Sequence, residues 1–82
     1  MSSTDFSVNI SPPNIVIEME MVGGVSAVFE YDLEDVLEID GGDLSVLEST
    51  ESGLVLENEN GETEFLDLRG EIKFLDLRNL ND

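Results

Sequence analysis

The residues able to do chemistry in this chain are nearly all carboxylates. Twenty Asp and Glu stand beside two Arg and one Lys, and His and Cys are both absent. Paired carboxylates can move protons as general acid and base. Twenty acids form pairs by chance, however, and one Tyr, one Lys and no His leave no set of nucleophile, base and orienting group. The Ser and Thr residues sit in nothing that resembles a nucleophile elbow. The expectation is a protein that is not an enzyme and needs no cofactor. Lack of Cys excludes a disulfide framework, a thiolate metal centre and a Cys nucleophile. Lack of His removes the commonest transition-metal ligand.

Oxygen-rich loops could in principle hold calcium. "DGGD" offers Asp40 and Asp43, and "NENGE" offers Asn58, Glu59, Asn60 and Glu62. Neither has the spacing of an EF-hand loop. Asp and Asn are also favoured turn residues in their own right, so no metal site is assigned. Met19 and Met21 stand two apart, as side chains on one face of a strand do. They suit core filling, or a soft apolar patch.

The formal net charge is −17, and its distribution is uneven. Residues 1–27 hold three acids. Residues 28–64 hold thirteen acids and no base, and residues 65–82 hold four acids and all three bases, Arg69, Lys73 and Arg78. Such a chain repels phosphate, so direct nucleic-acid binding and docking on anionic membranes are not expected. Its natural counterparts are cations, basic protein surfaces or concentrated salt. For solubility alone, a small domain needs a net charge of magnitude about 2–8.

The densest stretch is "EYDLEDVLEIDGGD", residues 30–43. It contains Glu30, Asp32, Glu34, Asp35, Glu38, Asp40 and Asp43, interleaved with Tyr31, Leu33, Val36, Leu37 and Ile39. The apolar residues can anchor this stretch to a core, so that the carboxylates are displayed at fixed spacing. Glu57, Glu59 and Glu62 extend the candidate partner-binding set. Same-face residues on a strand lie about 6.6 Å apart and neighbouring strands about 4.8 Å apart. Carboxylates on that lattice approach the charge density of a DNA duplex, one per roughly 1.7 Å of axis. By composition alone, the chain resembles the loose class of small acidic inhibitors, often phage-encoded, that imitate DNA. That class shares charge and carries no residue assignments.

These side chains require a frame. Eighty-two residues suit one domain with a thin core, burying about 60–65% of the unfolded surface. Turn signals recur at "SPPN" (11–14), "VGGV" (22–25), "DGGD" (40–43), "ESG" (51–53), "ENG" (59–61) and "RGE" (69–71). Between them apolar and polar residues alternate, as in Phe6, Val8 and Ile10, in Ile15, Ile17, Met19 and Met21, and in Val25, Ala27, Phe29 and Tyr31. Period two with one wet face indicates antiparallel sheet. The fold expected is mainly β: a small antiparallel sheet, sandwich or barrel of about five to seven short strands, with residues 1–4 and 80–82 frayed. Gly23-Gly24 and Asn60-Gly61 suit two-residue hairpin turns. Residues 32–39 read either as a strand or as two helical turns, with Asp32 as N-cap, Asp35 at the third helical position and Gly41 as terminator. "FLDLR" occurs at 65–69 and again at 74–78, with Gly70 read as a bend in a β segment.

The N-terminus lacks a basic region and a long apolar run, and no run approaches the roughly 20 residues of a membrane span. A cytoplasmic location is expected, in a host cytoplasm if the chain is viral. The leading functional expectation is a non-enzymatic binding protein that occupies the basic groove of a nucleic-acid-binding protein. The alternative is a structural or assembly subunit of a virus or salt-adapted cell, with Arg69, Lys73 and Arg78 meeting the acidic face of the next copy. Unpaired strand edges also permit a homodimer.

Overall fold

The computed structural model describes residues 4–21 and 23–81. The fold is mainly β. Strands β1 (Thr4–Ser11), β2 (Asn14–Met21) and β3 (Ser26–Asp32) form one antiparallel sheet in that order. A single helical turn, α1 (Leu33–Val36), follows. Strands β4 (Ser45–Ser49), β5 (Gly53–Glu57) and β6 (Thr63–Asp67) form a second three-stranded antiparallel sheet, and helix α2 (Arg69–Asn81) ends the chain. The sheets do not close into a barrel. Of the residues expected to fray, 1–3 and 82 lie outside the described residues. Thr4 pairs with Met21, and residues 80–81 belong to α2.

Alternation builds the first sheet as its pattern implies. Ile15, Ile17, Met19 and Met21 of β2 are buried, with Phe6, Val8 and Ile10 of β1 and Ala27, Phe29 and Tyr31 of β3 packed beside them. Leu54 and Leu56 of β5, Leu66 of β6, and Leu68 and Leu75 of the C-terminal segment belong to the same core cluster. The two sheets therefore share one apolar interior. Met19 and Met21 are both core residues.

Three local readings are corrected. First, the glycine hairpins do not close as two-residue turns. At the first, Met21 N–H donates to Val25 O and Gly24 N–H donates back to Met21 O, so Met21 and Val25 form the closing pair. Gly23 and Gly24 both take positive φ, at 107° and 90°. In the second loop, 59–61, Asn58 N–H donates to Glu62 O and Gly61 N–H to Asn58 O. Only Gly61 takes positive φ there, at 82°. One left-handed residue after a turn is the common three-residue solution. Second, residues 32–39 make one helical turn rather than two. Asp32 caps it by accepting from Glu34 N–H at 2.9 Å, but Leu37 is already extended at φ −123°, well before Gly41.

Third, the C-terminal segment forms helix α2 rather than a continuing β segment. The first "FLDLR" begins as strand β6, with Phe65 opposite Val55 and Leu66 opposite Leu54. The second copy is wholly helical. Gly70 is not a bend but the second residue of α2. Leu68, Ile72 and Leu75 stand at i, i+4 and i+7, which places them on one helical face. Leu68 and Leu75 are fully buried and Ile72 is half-buried. Asp67 starts the helix by accepting from Arg69 N–H at 2.9 Å.

Candidate functional site: an anchored acidic surface

Nine of the ten candidate partner-binding carboxylates are exposed, and Glu57 is half-buried. They do not tile a single sheet. Glu30 and Asp32 face outward from β3, while Glu57, Glu59 and Glu62 belong to the other sheet at the β5–β6 turn. The lattice of a single sheet therefore does not hold all ten. Two groups result, joined by α1 and the segment after it. Glu34 and Asp35 lie on α1, and Glu38, Asp40 and Asp43 on the connection to β4.

Sheet register adds members that charge counting passed over. On the outer face of the first sheet, Asp5 of β1 stands directly opposite Glu20 of β2. Glu18 shares that face, beside Ser7 and Val28. Glu30 stands opposite Val16, and Asp32 opposite Asn14. Five carboxylates and no cation occupy these strands' outward positions. Asp5, Glu18 and Glu20 come from the sparsely charged first third of the sequence. Their polar place in the alternation was the available signal.

The connecting segment is tied down from the second sheet. Glu64 of β6 is half-buried, and its Oε1 accepts from Glu38 N–H at 2.8 Å and from Ile39 N–H at 3.1 Å. Asn58 is 4% exposed and uses both ends of its amide. Its Nδ2 donates to Asp40 O at 3.1 Å and to Glu62 Oε1 at 2.9 Å. Its Oδ1 accepts from Asn60 and Glu62 N–H, both at 3.0 Å. Glu59 N–H reaches Gly42 O at 3.3 Å. The polar atoms of "NENGE" and "DGGD" therefore organise turns. Asp40 Oδ1 accepts from Gly42 N–H at 3.3 Å. Among the described residues, no group of three or more acidic side chains is placed to hold a metal ion.

The cations lie on α2. Arg69 forks onto Asp67, with Nε donating to Oδ1 at 3.0 Å and Nη2 to Oδ2 at 2.7 Å. Hydrogen bonds from Arg69 and its charge hold the Asp67 carboxyl down at about 2. Arg78 lies 5.8 Å from the Phe74 ring centroid and donates from Nη1 to Ser26 O at 3.2 Å. Phe74 meets Phe29 edge-on, with centroids 6.2 Å apart. Two of the three basic side chains are thus engaged within the chain.

No helix among the described residues is long and apolar enough to cross a membrane. No protein-family model, curated protein or solved structure matches this chain.

Proposed function

We propose that this chain is a non-enzymatic binding protein whose anionic surface occupies the basic groove of a nucleic-acid-binding protein, in competition with nucleic acid. The observation that carries this reading is the anchoring of the acidic segment. The carboxylates of 30–43 stand on a strand, a capped helical turn and a loop pinned by Glu64 and Asn58. Held charges form a surface of fixed shape, which a flexible acidic tail does not. Density also supports it. Leaving out Asp82, nineteen acids and three bases give a net −16 along a body 43 Å long, one charge per about 2.7 Å. A duplex has one per roughly 1.7 Å. Head-to-tail assembly through α2 has less support, because Arg69 and Arg78 already have partners within the chain.

Complementary charge of this kind gives fast, salt-sensitive association. The test is capture from cell lysate on immobilised protein at low salt, followed by elution with rising salt and by competition with duplex DNA. Retained nucleic-acid-binding proteins that DNA displaces support the reading. Retention of none contradicts it.

A further inference from the structure

A cavity of about 270 Å³ lies beside α1 and the chain that leaves it. Its floor is apolar, formed by Leu33, Leu37 and Ile39. Leu33 and Leu37 are buried and Ile39 is half-buried. Its rim is anionic, formed by Glu34, Glu38 and Asp40, all exposed. Small-molecule pockets span roughly 300–1,000 Å³, so this one suits a single side chain better than a cofactor.

An apolar floor under a ring of carboxylates complements one type of occupant, a long aliphatic stem with a cationic head. We propose that this cavity seats an arginine side chain of the basic partner. Its methylenes lie against Leu33 and Leu37, and its guanidinium lies among Glu34, Glu38 and Asp40. Arginine is favoured over lysine because its planar fork can address two carboxylates at once and is more weakly hydrated. Two of the three rim carboxylates are available for this, while Asp40 Oδ1 accepts from Gly42 N–H. Among the described residues the Glu34 and Glu38 carboxylates accept no hydrogen bond, whereas their backbone N–H groups are held by Asp32 and Glu64. This inference rests on the partner class proposed above and adds where one of its side chains is held.

Gly41 provides a way to separate the cavity from its charge. It lines the cavity, and a Cβ there would meet Leu33 Cβ and Cδ1 at 3.7 Å, an ordinary contact. Its φ lies outside the left-handed region. Gly41→Ala therefore narrows the cavity without a clash and without changing any charge.

The experiment titrates isotope-labelled protein with a capped Gly-Gly-Arg-Gly-Gly peptide and with its citrulline counterpart, following the methyl resonances of Leu33, Leu37 and Ile39. The arginine peptide is expected to shift these methyls saturably and the citrulline peptide not to. Gly41→Ala, and separately Glu34→Gln with Glu38→Gln, are expected to weaken the arginine peptide on the order of tenfold, the change that 1.4 kcal/mol produces. Shifts spread over the acidic surface but missing these methyls would overturn the proposal. So would unchanged binding by Gly41→Ala. Should lysate capture still retain nucleic-acid-binding proteins in that case, only the cavity assignment fails. Should the arginine peptide seat as described while capture retains none, the cavity assignment stands and the partner class fails.

Discussion

The carboxylate of Glu64 on β6 accepts the backbone N–H of Glu38, 26 residues earlier, at 2.8 Å. The same oxygen takes Ile39 N–H at 3.1 Å. An acidic side chain thus fixes an acidic loop, through backbone dipoles rather than through a counter-charge. Each such bond contributes about 0.5–1.5 kcal/mol net. Glu64→Ala should lower unfolding stability by about 1–2 kcal/mol and speed amide exchange at Glu38 and Ile39. Glu64→Gln keeps a carbonyl acceptor and should retain most of that stability. Urea unfolding and hydrogen exchange measure both effects.

Tyr31 donates its hydroxyl to Glu71 of α2. Burial, then that hydrogen bond, then the Glu71 charge push the Tyr31 pKa well above its usual value. An unfolded chain ionises this group near pH ~10, whereas the folded chain keeps the proton to higher pH. The contribution is therefore fully present below pH ~10 and is lost as pH climbs from there toward the folded value. Tyr31 is the only Tyr and there is no Trp, so tyrosinate absorbance reports this one site. Its ionisation should coincide with loss of the sheet signal in circular dichroism. Tyr31→Phe should flatten the alkaline decline in stability.

Asp5 and Glu20 face each other directly across β1 and β2, both exposed. Like charges in that position repel, and a cross-strand pair is worth about 0.2–1 kcal/mol. Glu20→Gln should raise thermal stability by that amount. If the outer face takes part in binding, the same substitution should weaken retention of a basic partner. A rise in stability together with a loss of binding marks charge kept for recognition. A rise in stability with unchanged binding would exclude this face from the interface.

The first sheet was legible because its strands have one wet face, so hydrophobic burial follows the alternation residue by residue. The end of the chain was not legible, because five residues do not determine their own secondary structure. "FLDLR" is strand at Phe65–Asp67, where β5 offers backbone partners, and helix at 74–78, where Leu68, Ile72 and Leu75 supply a buried stripe. The helical spacing was present at 68, 72 and 75 but was masked by the leucine-rich β pattern before it. The acidic surface was only partly legible. Counting charge along the chain drew attention to 28–64, whereas register brings Asp5, Glu18 and Glu20 onto the same face as Glu30 and Asp32. The length of the second turn depends on Asn58, whose buried amide organises that hairpin through contacts that local sequence does not reveal.

Gly53 begins β5 under the Phe65 ring. A Cβ there would lie 2.1 Å from Leu66 O and 2.9 Å from Phe65 Cζ. The backbone oxygen cannot yield without breaking the β5–β6 pairing. Gly53→Ala should therefore cost about 1–3 kcal/mol, the range for overpacking. Gly70 has open space at its Cβ position and sits in α2. Gly70→Ala should instead stabilise by about 0.5–1 kcal/mol. Thermal unfolding of the two variants should move in opposite directions.

Recognition of this surface requires its acidic middle to be ordered. Backbone NMR of residues 28–64 in moderate-salt buffer, read as chemical shifts together with heteronuclear relaxation, tests that most directly. The result predicted is dispersed shifts and rigid amides from β3 through the 59–61 loop, with Glu38, Ile39 and Gly61 N–H protected from exchange. Random-coil shifts and fast motion across 28–64 would contradict it, and with it the proposal that a shaped anionic surface is what a partner binds.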